Sequence, residues 1–429
     1  MRCALLCVER ESLYHILTMN EISSVLSRMF NFLRRPRRIY LDHAAATPLS
    51  PAVRRAMMPY FKAEYGNPSS IHHEGVIARH AVEEARTSVA RTLRVRATDV
   101  TFTSGGTEAN NLALRGTVAR LRSEGIAYCD IEIIALRTEH PSISETLTHL
   151  AALGCVVRYV GVREDGLVDM EQFSEALSPR TRLVTIAYAN SETGVVQDLA
   201  RIGRTIRKFE TQEGTSIVFH TDASQAPLWL SCALEQLHVD LMTLDAGKFQ
   251  GPKGVGALIH RPRGELTATT FGGSQEAGLR PGTENVSLVV GFAVALAAAQ
   301  ATWKERGERV RAVRDYGCSL LIAVPHVLVN GSLEERLPSN INISIPGFDT
   351  EYAVITLDAA GISCSTKSAC SGAGSGISTV VFEMTGDTAR AGATMRFTLG
   401  EETSMRDMER VVEVLKAHLA QMQEFRTEN

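Results

Sequence analysis

The sequence predicts an α/β fold: a large, mostly parallel sheet covered by helices, followed by a smaller α+β domain. Three observations carry this expectation. From Ile39 onward, short apolar runs alternate with amphipathic helical stretches. The runs are near-continuous in apolar residues, as strands covered on both faces must be. After a long helical region at Asn285–Arg314 the texture changes to isolated strand-like runs and a terminal amphipathic helix.

In chain order, the expected strands are Val100–Thr103, Ile131–Leu136, Val156–Val160, Leu183–Ala187, Ile217–Thr221, Val239–Leu244 and Val255–Ile259. Between most of them lie helical patterns at Gly75–Leu93, Glu108–Glu124, Pro141–Leu153, Asp169–Leu177 and Asp198–Glu210. Strand and helix in alternation are the signature of parallel βαβ units. The smaller domain is expected to hold a strand at Ile341–Ile345, a helix at Thr350–Ala360, a strand at Thr394–Leu399 and a helix from Ser404.

Composition narrows the class. With 429 residues, 44% hydrophobic and 22% charged, the chain has the make-up of a globular protein with room for two or three domains. The formal charge of −3 leaves no basic excess to neutralise phosphates, which argues against a direct nucleic-acid binder. The eight cysteines include no Cys-x-x-Cys pair, so neither a disulfide framework nor a metal site is expected, and a reducing, cytoplasmic setting fits best. The uncharged stretch from Asn285 to Trp303 is long enough to span a bilayer, but it is Ala-rich and interrupted by Ser287, Gly291 and Gln300. It reads as a buried helix, with no membrane role. The first 38 residues carry Arg34, Arg35, Arg37 and Arg38 but also Glu9, Glu11 and Glu21, without a long apolar core. They read as an extension or an upstream start rather than a signal peptide, with organelle import the less favoured alternative.

Three motifs carry chemistry. Thr103-Ser104-Gly105-Gly106-Thr107-Glu108 follows a strand and opens a helix, where unpaired N–H donors and the helix dipole can hold a phosphate. Such a stretch also makes plain turns and caps. Asp222 follows the strand Ile217–Thr221, at the edge where α/β sheets place ligands; it also suits a helix cap. Lys248 lies beyond a strand among small residues and turn formers, reaching either into a pocket or into water. Together, a phosphate cradle, an acid and a lysine in that order suit pyridoxal phosphate, which needs an anchor, a partner for its pyridine nitrogen and an amine.

With these residues in view, the chain resembles the class V, fold-type-I pyridoxal phosphate enzymes, and among them the cysteine desulfurases that serve iron–sulfur assembly. The resemblance runs from Ile39 to Leu415. It rests on the runs Tyr40 to Pro48, Tyr65 to Ser70, Thr138-Glu139-His140, Asn190 to Gly194, His220 to Gln225, Gly251 to Gly254, Arg280 to Thr283 and Ser368-Ala369-Cys370. It implies an N-terminal extension at 1–38, a large cofactor-binding domain at 53–290, and a small domain built from 39–52 plus 291–429 that carries the cysteine loop.

The resemblance also implies roles. Lys248 would bond the cofactor and shuttle protons; Asp222 would keep the pyridine nitrogen protonated. Gln225 would meet the phenolic oxygen and His140 would stack on the ring and serve as acid or base. Gly106 and Thr107 would hold the phosphate, with Thr283 added from a second subunit, so that a homodimer is expected. Arg396 would clamp the carboxylate of L-cysteine, near Asn190. Cys370 would take the sulfur as a persulfide, releasing L-alanine, and pass it to an acceptor or scaffold protein for iron–sulfur assembly or tRNA thiolation. Ser371 to Gly376, with three glycines in six residues, reads as a flexible loop, and Cys364 as a packed core thiol.

Two departures from the family pattern matter. Asp245-Ala246-Gly247 stands where Ser-Gly-His is usual, removing two donors and placing a carboxylate near the phosphate. Lys367 replaces a glycine before Ser-Ala-Cys; it would either favour the Cys370 thiolate or point outward without effect. The rival readings are another class V enzyme, such as a selenocysteine lyase, and a catalytically weak scaffold relative.

Overall fold

The computed structural model describes residues 38–366 and 376–427. Cys370, Lys367, nearly all of the expected loop Ser371 to Gly376, and the N-terminal extension up to residue 37 lie outside the described residues. From Tyr40 onward the chain forms one compact unit.

Its main layer, among the described residues, is a seven-stranded sheet. The strand order is Val100–Thr103, Gly256–His260, Leu241–Asp245, Val218–Asp222, Thr181–Thr185, Glu132–Leu136, Val156–Val160. The last five pair in parallel, and Gly256–His260 runs antiparallel to both of its neighbours. The expectation of a mostly parallel sheet is met. The apolar runs are buried as both-face coverage requires: Ile133, Leu183, Val218, Leu241 and Leu258 share one core with Ala109, Leu112 and Ala113 of the helix Gly106–Ser123 and with Ile143 and Leu147 of the helix Pro141–Ala152. Asp222 and Asp245 are the final residues of adjacent strands, so two carboxylates stand side by side at the carboxyl edge where this architecture collects ligands.

A second sheet of three antiparallel strands orders Thr394–Thr398, Asn340–Ser344 and Leu328–Val329. Arg396 sits in its outer strand opposite Asn342.

The helical region expected at Asn285–Arg314 is two helices, Val286–Ala301 and Trp303–Ile322, bent by 69°. The break at Thr302, with φ −133°, has a physical cause in the buried Arg306. Its Nη1 donates to the carbonyls of Ala299 (2.9 Å) and Leu228 (3.2 Å), its Nη2 to Thr302 Oγ1 (2.8 Å) and its Nε to Glu401 (2.7 Å). A guanidinium thus satisfies the last-turn Ala299 carbonyl, which a continuous helix would have paired internally. Val286–Ala301 is a buried core helix, as expected, packing Val289, Phe292 and Leu296 inward. Among the described residues, no single helix is long and apolar enough to cross a membrane.

Candidate active site

The site assembles at the carboxyl edge of the large sheet, where each element ends in a turn that aims one side chain. The strand Glu132–Leu136 runs into Thr138-Glu139-His140, and His140 then caps the helix Pro141–Ala152, its Nδ1 accepting the Ser142 N–H at 3.1 Å. That contact leaves the proton of a neutral ring on Nε2. Burial is the main influence on His140 and lowers its pKa, while Asp222 and Asp245 pull it up and Lys248 pulls it down. One imidazole thus feels both carboxylates and the lysine, which brings these four residues into one site.

Asp222 is fixed on both oxygens: Oδ1 accepts the Ser224 N–H at 2.9 Å and Oδ2 accepts Nδ2 of Asn110 at 2.8 Å. The same Asn110 nitrogen donates to Ser142 Oγ at 2.8 Å, and Ser142 Oγ lies 2.8 Å from His140 Nδ1. A polar chain therefore links Asp222 to His140 through Asn110 and Ser142. Asn110 occurs four residues after Gly106, on the same face of the helix Gly106–Ser123. That spacing was the available sequence signal for it.

Two buried groups lie beneath this chain. His220 is wedged between Thr185 Oγ1 (2.8 Å) and Thr243 Oγ1 (3.1 Å), and burial drives its pKa down to about 4. Glu139 accepts the Ala187 N–H at 2.9 Å; burial, with Asp222 adding repulsion, pushes its pKa up to about 8. Sequence reasoning quoted both residues inside motifs but gave neither a role.

Lys248 ends the short turn Ala246–Lys248, and its Nζ donates to the carbonyls of Ala44 (3.0 Å) and Ala45 (2.7 Å). Gln225 donates to the same Ala44 carbonyl at 3.0 Å. The two side chains line one small cavity with His43, Trp229, Asn340 and Thr398. The segment 43–47 is therefore a wall of the site, although its residues drew attention only as a motif.

At the substrate side, Arg396 is buried at 2% exposure, with Nη2 on Asp42 Oδ1 (2.8 Å) and Nη1 on the Ser191 carbonyl (2.9 Å); its Nε has no partner among the described residues. Asn190 shapes the adjoining turn, accepting the N–H groups of Glu192 and Thr193 on Oδ1 (both 2.9 Å) and donating to the Thr138 carbonyl (3.0 Å). The turn closes on Gly194 at φ +74°, where a Cβ would lie 2.4 Å from Asn340 Cβ, so glycine is required there. Both flanks of the segment outside the described residues are fastened beside this turn. Ser365 exchanges backbone hydrogen bonds with Arg396 (2.7 and 3.2 Å), and Ser378 Oγ donates to Glu192. Cys364 is a buried thiol, as expected, with a pKa pushed up to about 12 mainly by burial.

The remaining expected residues stand less enclosed. Thr107 is exposed in the first turn of the helix Gly106–Ser123, and Thr283 is exposed in the loop before Val286.

For pyridoxal phosphate the residues fit. A carboxylate, an acid–base imidazole and a lysine converge for its ring and aldehyde, while at the phosphate end the helix start is taken by the Asp245 carboxylate, whose Oδ2 accepts the Gly106 N–H at 3.1 Å. A Cβ at Gly106 would approach Ser224 Oγ to 3.1 Å and Asp245 Cβ to 3.3 Å, so the close approach depends on glycine.

Residues 39–411 match the family model described as "Aminotransferase class-V". The chain is 36% identical over 381 residues to a cysteine desulfurase IscS of Dictyoglomus turgidum, covering 89% of this chain and 94% of that protein. A second cysteine desulfurase IscS, from Methylococcus capsulatus, is 35% identical over 90% of this chain and 94% of its own length. Among solved structures, a NifS-like protein superposes with a TM-score of 0.82 at 29% identity, over 90% of this chain and all of that one. With the site's geometry, these likenesses fix the lineage: the chain belongs to the class V aminotransferase family, whose cofactor is pyridoxal phosphate, and within it to the cysteine desulfurases.

Proposed function

We propose that this enzyme converts L-cysteine to L-alanine and carries the abstracted sulfur as a persulfide on Cys370. The observation that carries the reading is the polar chain Asp222–Asn110–Ser142–His140 standing across the same site as Lys248. Pyridoxal phosphate, when bound, supplies the electron sink that loosens the Cβ–S bond of cysteine. Asp222, positioned by Asn110 and the Ser224 N–H, is the partner for the pyridine nitrogen. Gln225 is the donor for the phenolic oxygen, and the helix start at Gly106 and Thr107 is the place for the phosphate end, with the Gly106 N–H already engaged by Asp245.

Arg396 clamps the substrate carboxylate in this reading. Its guanidinium is already oriented by Asp42 and the Ser191 carbonyl, and a planar fork suits two-point recognition. Lys248 moves the proton between the substrate carbons, its amine aimed by two carbonyls; His140, held neutral by burial, gives or takes a proton at Nε2. The Cys370 thiolate attacks the substrate sulfur. An S–S bond forms as the C–S bond breaks, and the carbon keeps the electron pair until a proton arrives to give alanine.

The anchoring of Ser365 to Arg396 and of Ser378 to Glu192 supports this reading, because the residues flanking the Cys370 segment are held beside the substrate clamp. We further read 53–290 as the cofactor domain and 39–52 with 291–429 as the small domain. A homodimer would bring the partner subunit's Thr283 to the phosphate, and a sulfur-acceptor or scaffold protein would receive the persulfide.

The test is alanine and sulfide release from L-cysteine with a thiol reductant. Wild type should yield both, and Cys370→Ser and Lys248→Ala neither. Alanine formation that persists in Cys370→Ser without sulfide transfer would exclude the persulfide route.

A further inference from the structure

The carboxylate of Asp245 lies where the fold collects an anion. It closes the strand Leu241–Asp245 and reaches across to the start of the 18-residue helix Gly106–Ser123, taking the Gly106 N–H on Oδ2 (3.1 Å) and the Gly247 N–H on Oδ1 (2.9 Å). A carboxylate at a helix N-terminus neutralises the donors and the dipole that would otherwise favour a phosphate. Beside the cup stand the Ser224 hydroxyl, near Gly106, and the exposed Lys253, near Gly247. Ala246 and Gly247 carry no side-chain donor, Lys248 is directed to the Ala44 and Ala45 carbonyls, and Arg280 is engaged with Glu108 (3.1 Å). A phosphate entering this cup must therefore displace Oδ2 from Gly106 and then stand beside a like charge.

We propose that Asp245 is a resident anion of the phosphate subsite. The site accordingly recognises the pyridine and aldehyde of its cofactor, gains little from the phosphate group, and accepts pyridoxal nearly as well as pyridoxal 5′-phosphate. This inference rests on the cofactor site assigned above. It makes Asp245 a residue that sets cofactor selectivity rather than one that takes part in the reaction.

The experiment is a binding titration of the full-length protein, freed of cofactor, with each of the two aldehydes. It is read by quenching of tryptophan emission, since Trp229 lines the cavity. Asp245→Asn keeps the shape and removes the charge; Asp245→Ser adds a donor; thermal melts establish that both variants fold. Both variants should bind pyridoxal 5′-phosphate tighter than wild type, on the order of tenfold or more, and leave pyridoxal affinity nearly unchanged. Wild type that already prefers the phosphorylated form by a large factor, with variants that bind it no tighter, overturns the proposal and leaves the desulfurase reading standing. No binding of either aldehyde by any of the three proteins overturns both.

Discussion

The two ends of the site are built on opposite logics. At the ring end, Asp222 receives two donors, Asn110 bridges it to Ser142, and His140 completes the chain. The charge is held in place by these donors. At the phosphate end, Asp245 spends its oxygens on Gly106 and Gly247 and closes the cup from within. Adjacent strands thus end in the same residue type in contrary settings: in the proposed reading one aspartate meets a ligand and the other stands in a ligand's position. A carboxylate's role in such a site is decided by the donors around it rather than by its place on the sheet edge.

The comparison can be broken or sharpened by substitution. The largest effect is expected from Lys248→Ala, which should lower alanine formation by on the order of 10³-fold or more, measured at saturating cysteine. Asp222→Asn should follow, with a loss of about 10²-fold, because a neutral amide cannot hold the pyridine nitrogen's proton. If Asp222→Asn is harmless, the ring end is not the anchored end and the contrast collapses. Gly194→Ala should destabilise the fold by about 2 kcal/mol or more, seen as a lowered melting temperature, since the positive φ and the Asn340 side chain both exclude a Cβ.

Smaller effects probe the buried acid below the ring end. Glu139 has its pKa raised from the 4.5 of a free glutamate to about 8, chiefly by burial. Between those values the native protein retains a proton that the unfolded chain releases, so its contribution to stability falls as pH rises through this window and levels off above about 8. Glu139→Gln keeps the acceptor for the Ala187 N–H and should flatten that fall. Melting curves from about pH 5 to about pH 9 check it, and parallel slopes in the two proteins would contradict it. The smallest expected change is a modest upward shift in the pH midpoint of Cys370 alkylation in Lys367→Met, both positions lying outside the described residues; superimposable curves would sink that idea.

Much of this organisation was legible in the sequence because both-face burial writes long apolar runs. Val100–Thr103 and Val156–Val160 fall where expected, and other strands are displaced by a residue or two. The displacement has a cause at Thr181: it is buried yet polar, bonding Glu132 at 2.7 Å, so the strand begins two residues before its apolar run. The Pro51–Met57 helix lies outside the expected elements despite the proline at its start. At the site, residues with an obvious chemistry, such as Lys248, Asp222 and His140, were named from pattern and family likeness. Asn110, Glu139 and Asp42 act by holding other groups, and periodicity does not mark a residue whose partner lies far away in sequence, as Asp42 does for Arg396. The orientation of Asp245 was likewise unreadable, since pointing into or away from the cup depends on the Gly106 donor across the sheet edge.

Arg306 has a consequence for how the molecule fails. Through one guanidinium it joins the end of the Val286–Ala301 helix, the Leu228 carbonyl just past Gln225, and Glu401 just past the Arg396 strand. The floor of the ring site and the arm that bears the substrate clamp are thereby riveted together. Heating should not detach one while sparing the other: catalytic death and melting should arrive at one temperature, with no dormant, still-folded enzyme in between.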